Sequence, residues 1–186
     1  MPRYSPSHCP YCGTALEDGD AAGGTCPSCG ELTVQQPVVA VEVLVVDGEE
    51  VLLQQRGTGR KSGRWGFPGG HVEPGEAPWT AAVRELEEET GLTAPEESLG
   101  LADVVFDANP DGTYYLVVGF GLPSQRTSGS LDASTDETAG LRFCSPSAIP
   151  EGLTLFAPEY RDRMRQAVRT GQSDRDREEQ RFLDLR

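Results

Sequence analysis

The stretch Gly70-His-Val-Glu-Pro-Gly-Glu-Ala-Pro-Trp-Thr-Ala-Ala-Val-Arg-Glu-Leu-Glu-Glu-Glu-Thr-Gly-Leu92 decides how the rest of this chain is read. Its second half predicts a helix from about Pro78 to Thr90. Proline suits the first turn, where its missing N–H costs nothing, and Gly91 suits the left-handed position just past the end. At about 100° per residue, Trp79, Ala82, Val83, Leu86 and Thr90 gather on one stripe that is expected to face the core. Glu85, Glu88 and Glu89 fall within an arc of about 100° beside it. Three carboxylates on one patch repel one another, by a few tenths of a kcal/mol for a pair four residues apart. On an arbitrary helix such a face is merely solvated. A hard divalent cation such as Mg²⁺ would relieve the repulsion, because it prefers oxygen ligands. It would also neutralise diphosphate oxygens and acidify a water.

Outward from this stretch, strand patterns surround the helix. Val38 to Val46 is apolar except for Glu42, and a turn at Asp47-Gly48 leads into Val51 to Leu53, which predicts a hairpin. Gly57 to Gly63 reads as a glycine-rich loop before Trp65-Gly-Phe-Pro-Gly-Gly70. Leu99 to Phe106 and Tyr114 to Phe120 are expected strands about a turn at Asn109-Pro-Asp-Gly112. Ser124 to Ser134 is an expected loop, Leu141 to Cys144 a short strand, and Pro158 to Arg169 a second helix. Strands interleaved with two helices give an α/β (α+β) domain.

The pattern Gly70, Glu76, Arg84-Glu85-Leu86, Glu88-Glu89 and Gly91-Leu92 matches every fixed position of the Nudix box, and the chain resembles the Nudix hydrolase superfamily over about residues 37–169. The resemblance implies an α/β/α sandwich with a mixed sheet and a hydrolase that cleaves the pyrophosphate bond of a nucleoside diphosphate linked to another moiety. It implies Mg²⁺ or Mn²⁺ held by Glu85, Glu88, Glu89 and the Gly70 carbonyl, with Arg84 orienting the carboxylates. Glu76 matches a position that is partly structural, and Glu73 is a weaker candidate ligand. The general base is left open among Glu88, Glu89 and Glu137, the last lying where many relatives place an acid in a later loop.

Residues 1–36 are a different module. Cys9-Pro-Tyr-Cys12-Gly and Cys26-Pro-Ser-Cys29-Gly, separated by the thirteen residues Gly13 to Thr25, are paired knuckles with the spacing of a tetrathiolate site. Zinc is the first expectation and rubredoxin-type iron the alternative. Two disulfides are disfavoured in a chain whose start, Met1 to Gly13, has no apolar signal core. The segment resembles a zinc ribbon, whose role would be stability, dimer packing or an edge of the substrate pocket. Cys144 reads as an ordinary buried residue. The expected division is therefore ribbon 1–36, hydrolase domain 37–170 and charged tail 171–186.

The formal charge of −14 argues against nonspecific nucleic-acid or anionic-membrane partners. The ribbon itself carries Arg3 against Glu17, Asp18, Asp20 and Glu31, which also speaks against nucleic acid. The longest apolar run, Val38 to Val46, is too short to span a bilayer, so a cytoplasmic enzyme with a nucleotide-type substrate is expected.

A ribbon ahead of a Nudix domain is similar to the NADH pyrophosphatase branch. The Ser-Gln-Pro-Trp-Pro-Phe-Pro-type array of that branch is missing here; Leu122-Pro-Ser-Gln125 is not it. Pro110, eighteen residues beyond Leu92, is suggestive of ADP-ribose-type enzymes. Tyr114 or Tyr115 is a candidate to stack on a base, with the other in the core. Trp65 is read as packing and His71 is given no role. The leading expectation is hydrolysis of ADP-ribose or a related ADP-linked metabolite. The alternatives are NAD(H) pyrophosphatase, nucleoside triphosphate sanitation, or a non-catalytic nucleotide sensor, against which the complete set of glutamates speaks.

Overall fold

The computed structural model describes residues 7–16, 23–34, 36–59, 61–108, 113–133 and 135–170. The expected turn at 109–112, with Pro110, and the charged tail 171–186 lie outside these residues. Strands are β1 (Gly23–Thr25), β2 (Leu32–Val34), β3 (Val38–Asp47), β4 (Glu50–Arg56), β5 (Trp65–Gly66), β6 (Leu92–Thr93), β7 (Gly100–Ala108), β8 (Tyr114–Pro123), β9 (Ser128–Gly129) and β10 (Thr138–Cys144). Helix α1 is Pro78–Thr90, and α2 covers residues 160–170. The described residues fall into two compact units, those up to residue 39 with those of 105–117, and those of 40–104 with those from 118 to 170.

The central sheet is mixed and runs in the order β10-β4-β3-β8-β7, with β5 pairing to β4. The β3–β4 hairpin closes through Val46 opposite Val51 and Asp47 opposite Glu50. That leaves the two-residue loop Gly48-Glu49, where Gly48 has φ +61° and no other residue type in the described chain has positive φ. A positive φ at the first loop position alone is the type II′ geometry, which matches strand twist and suits glycine there.

Strand β3 is buried on both faces, and its period of two assigns the layers. Val41, Val43 and Val45, with Leu52 of β4, pack against Ala81, Ala82 and Leu86 of α1. Leu44 and Val46, with Val51 and Leu53, pack against Tyr160, Met164, Ala167 and Val168 of α2. The result is the expected helix–sheet–helix sandwich. Burial of each Val or Leu side chain contributes roughly 1.5–3 kcal/mol, so β3 and β4 anchor both layers.

Helix α1 has the expected bounds. Gly91 closes it at φ +73° with its N–H on the Glu87 carbonyl. Its buried face includes the expected Ala82, Leu86 and Thr90, with Val83 half-buried, but Trp79 is exposed, and Ala81 and Glu89 are buried as well. Two alanines bring the helix close to the sheet, and the apolar stripe turns far enough to carry Glu89 inward with it. Among the described residues no helix is long and apolar enough to cross a membrane.

Candidate active site

Arg84, on the edge of α1, organises the acidic patch. Its Nε–H and one Nη2–H donate to the two oxygens of Glu76, at 2.9 and 3.0 Å. One Nη1–H donates to Glu85 at 2.9 Å, the other to Glu88 at 3.1 Å, and the second Nη2–H reaches the His71 carbonyl at 3.0 Å. All five guanidinium donors are therefore used. The paired carboxylates hold the Arg84 pKa well above its ordinary range, Glu76 foremost. The Arg84 hydrogen bonds hold the Glu76 carboxyl below its usual range, helped by the Glu73 N–H. Glu76 is thus committed to Arg84 and the loop that precedes α1, and the Glu73 carboxylate faces solvent.

The three helix glutamates sit in graded environments. Glu88 is exposed, Glu85 is half-buried, and Glu89 is only 3% exposed. One Glu89 oxygen, Oε2, accepts the Gly69 N–H at 2.6 Å, whereas Oε1 is buried with no hydrogen-bond partner. Burial pushes the Glu89 carboxyl up to about 7, despite the opposing effects of the Gly69 N–H, Gln54 and Arg56. Burial also raises Glu85, and the charges of Glu88 and Glu137 add to the effect. An orphaned buried carboxylate oxygen, on a helix that also carries Glu85 and Glu88, is of the ligand type that a hard divalent cation takes. Gly70 lies against the same group: a Cβ there would stand 2.3 Å from the Glu85 carboxylate. The Gly70 carbonyl accepts the Val41 N–H at 2.8 Å, which leaves it one lone pair.

Several residues that support Glu89 escape sequence reasoning. On β4, Leu52, Gln54 and Arg56 share the α1 face. The buried Gln54 amide donates to Thr138 Oγ1 at 2.8 Å, and that hydroxyl donates to the Glu89 carbonyl at 3.0 Å. Thr138 reaches inward because the β4–β10 register shifts between Thr138 and Gly140, the kind of irregularity that re-aims a side chain. Gly69 has φ +153°, and a Cβ on it would stand 2.1 Å from the Val41 carbonyl oxygen. Only glycine brings this N–H to Glu89.

Glu137 is exposed, and its backbone carbonyl accepts the Gly57 N–H at 2.8 Å. Among the other candidates, Tyr114 is exposed and stacks on Phe106 with ring centroids 5.7 Å apart. Tyr115 and Trp65 are half-buried, and Cys144 is buried at the end of β10.

The four ribbon cysteines converge. Their sulfurs all lie within 4.8 Å of one another, with Cys9–Cys29 at 3.6 Å and Cys12–Cys26 at 3.8 Å. The thiols are free, and tetrahedral Zn–S bonds of about 2.3 Å give sulfur–sulfur edges of about 3.8 Å. The two knuckles have the same backbone: Gly13 N–H bonds the Cys9 carbonyl and Gly30 N–H the Cys26 carbonyl, both at 2.9 Å. The glycine φ values are +72° and +76°. The donor set and its spacing fit zinc.

The sandwich and the acidic patch define a class of metal-assisted hydrolase, and the NUDIX domain matches residues 36–167, so the chain belongs to the Nudix family and is a Nudix pyrophosphohydrolase. Hydrolases of this family use divalent metal ions. The chain is 32% identical over 135 residues to the "Putative 8-oxo-dGTP diphosphatase" of Bacillus subtilis, covering 73% of this chain and 81% of that protein. It is 41% identical over 63 residues to the ADP-ribose pyrophosphatase of Methanocaldococcus jannaschii, a partial match covering 34% of this chain and 37% of that enzyme. The fold is similar to the crystal structure of the MutT NUDIX hydrolase from Burkholderia pseudomallei. That match has a TM-score of 0.61 and 26% identity, and covers 70% of this chain and 98% of the other.

Proposed function

We propose that the chain hydrolyses the pyrophosphate bond of a nucleoside diphosphate linked to a second group, with ADP-ribose or a related ADP-linked metabolite as substrate. The observation that carries this reading is the buried Glu89 carboxylate oxygen without a partner, on the helix whose Glu85 and Glu88 are both held by Arg84. Glu85, Glu88, Glu89 and the Gly70 carbonyl would hold Mg²⁺ or Mn²⁺, which when bound neutralises diphosphate oxygens and acidifies water. Arg84 fixes Glu85 and Glu88 in one geometry and so limits the reorganisation needed at the site. Gly69 holds Glu89 by one oxygen and leaves the other without a protein partner. The general base is one of Glu88, Glu89 or Glu137; Glu88 and Glu137 are exposed to the solvent from which the attacking water comes. Residues 1–36 form a zinc-bearing module that stabilises residues 37–170 or supports a homodimer.

The similarity to the M. jannaschii enzyme supports an ADP-linked substrate. The longer match to the B. subtilis protein favours a second reading, sanitation of damaged nucleoside triphosphates. Incubating the purified protein with Mg²⁺ or Mn²⁺ and a panel of ADP-ribose, NADH and oxidised or ordinary nucleoside triphosphates separates them. AMP release from ADP-ribose supports the first reading, and pyrophosphate release from triphosphates alone replaces it with the second. No turnover of any compound, with ligand binding retained, would make the chain a sensor.

A further inference from the structure

On the α2 face of the sheet, behind the acidic patch, is a second set of buried charges. The Glu42 carboxylate, on β3, accepts the Tyr160 hydroxyl through one oxygen and Arg163 Nη1 through the other. Arg163 also makes a bidentate pair with Asp103 on β7, at 2.8 and 3.0 Å. Asp103 occupies a space that a Cβ on Gly119 of β8 would enter, 2.1 Å from its Oδ1. The Arg163 guanidinium lies 4.9 Å from the centroid of Phe67, and the Phe67 ring stacks on Tyr160 at 5.0 Å. A buried ion pair contributes little net stability relative to well-packed apolar residues, because desolvation offsets the attraction. Its use is therefore to be sought in position.

The geometry points to a positioning network: Arg163, with Glu42, Asp103 and Tyr160, holds the segment 67–70 in the place where it meets Glu85 and Glu89. The inference rests on the metal-site reading of those glutamates. Arg163 holds this segment at two points. It covers the Phe67 ring directly, and through Glu42 it fixes the part of β3 on which the next three residues lie. Val41 N–H bonds the Gly70 carbonyl and Val43 N–H the Pro68 carbonyl, both at 2.8 Å, on either side of Glu42. Between them, a Cβ at Gly69 would stand 2.8 Å from the Glu42 Cα. The Gly69 N–H then sets one Glu89 oxygen, and the Gly70 Cα abuts the Glu85 carboxylate. A shift of Glu42 or Phe67 therefore moves both carboxylate supports together.

The test compares Arg163→Lys, which keeps the charge but not the two-pronged donor, and Tyr160→Phe, which keeps the ring stack, with a control. Val168→Ala thins the same helix packing without touching the network. Mn²⁺ affinity is read from the electron paramagnetic resonance of free Mn²⁺ on the substrate-free protein, melting temperature beside it, and kcat and KM separately with the best diphosphate substrate. Arg163→Lys is expected to weaken Mn²⁺ binding and lower kcat by about tenfold each, the effect usual for groups that orient metal ligands, with KM within about twofold. Tyr160→Phe shifts both in the same direction by less, and Val168→Ala lowers only the melting temperature. Wild-type Mn²⁺ affinity and kcat in both network variants would overturn the inference, as would equal losses in Val168→Ala at a matched melting temperature. Failure of the wild type to bind Mn²⁺ would instead overturn the reading of Glu85 and Glu89, and this inference with it.

Discussion

Glu89 and Glu42 are both buried glutamates, one on each side of the same sheet, and the protein treats them in opposite ways. Glu42 has both oxygens bonded, by Tyr160 and by an arginine that is itself held by Asp103. Glu89 has one oxygen bonded to a backbone N–H and the other left bare, with Glu85 close enough to raise its pKa further. Burying a carboxylate is costly unless its charge and hydrogen bonds are compensated. At Glu42 the compensation is built from protein. At Glu89 it is incomplete, which is what the proposed cation site would require. Degree of satisfaction, rather than burial or charge, separates the carboxylate proposed as a metal ligand from the one bonded wholly within the protein.

The same substitution at the two positions should therefore have opposite consequences. Glu89→Gln is expected to lower kcat by about 100-fold or more, the scale of losing a positioned acid–base or ligand group. Its melting temperature without metal should be equal or higher, because the amide oxygen can still accept the Gly69 N–H and no buried charge remains. Kinetic assays with thermal melts check both halves, and retained turnover would remove Glu89 from the site. Glu42→Gln should do the reverse in stability. It leaves Arg163 buried with one carboxylate instead of two, at a cost of about 3–5 kcal/mol. Urea unfolding measures this, and a neutral result would mean that Asp103 alone suffices for Arg163.

The part of the site that is local in the chain was legible in the sequence, and the part that is not local was largely hidden. Pro78 and Gly91 mark the ends of α1, and the spacing of Glu85, Glu88 and Glu89 places them together, because both depend only on helix geometry. The centre of the α1 stripe, Ala82, Leu86 and Thr90, is buried as expected, but its margins differ, since hydropathy counts Trp79 inward and Glu89 outward. Gln54 and Thr138 gave no signal: a polar residue on a strand reads as solvent-facing, and its partner lies 84 positions away. Glu42 did leave a trace. A lone charge inside the run Val38 to Val46, which lies in a strand covered on both faces, must have a buried partner. Nothing in the sequence indicates that the partner is Arg163, 121 residues on.

The smallest expected effect is a pH dependence that belongs to Glu89 and should be missing from Glu89→Gln. Its folded pKa of about 7 lies above the ordinary value of 4.5. Between those values the folded, metal-free protein keeps a proton that the unfolded chain releases. Stability must then fall as pH rises from about 4.5 to about 7, and stay reduced above that. On the proposed metal-site reading, Mn²⁺ would bind the ionised carboxylate, competing with the proton at pH 5 and relieving an uncompensated charge at pH 8. The rise in melting temperature on adding Mn²⁺ should therefore be a few degrees larger at pH 8 than at pH 5. Differential scanning fluorimetry at the two pH values, on wild type and Glu89→Gln, reads this directly. An increment independent of pH in the wild type would mean that Glu89 is already ionised at pH 5, with its second oxygen compensated by the protein after all, and the contrast with Glu42 would collapse.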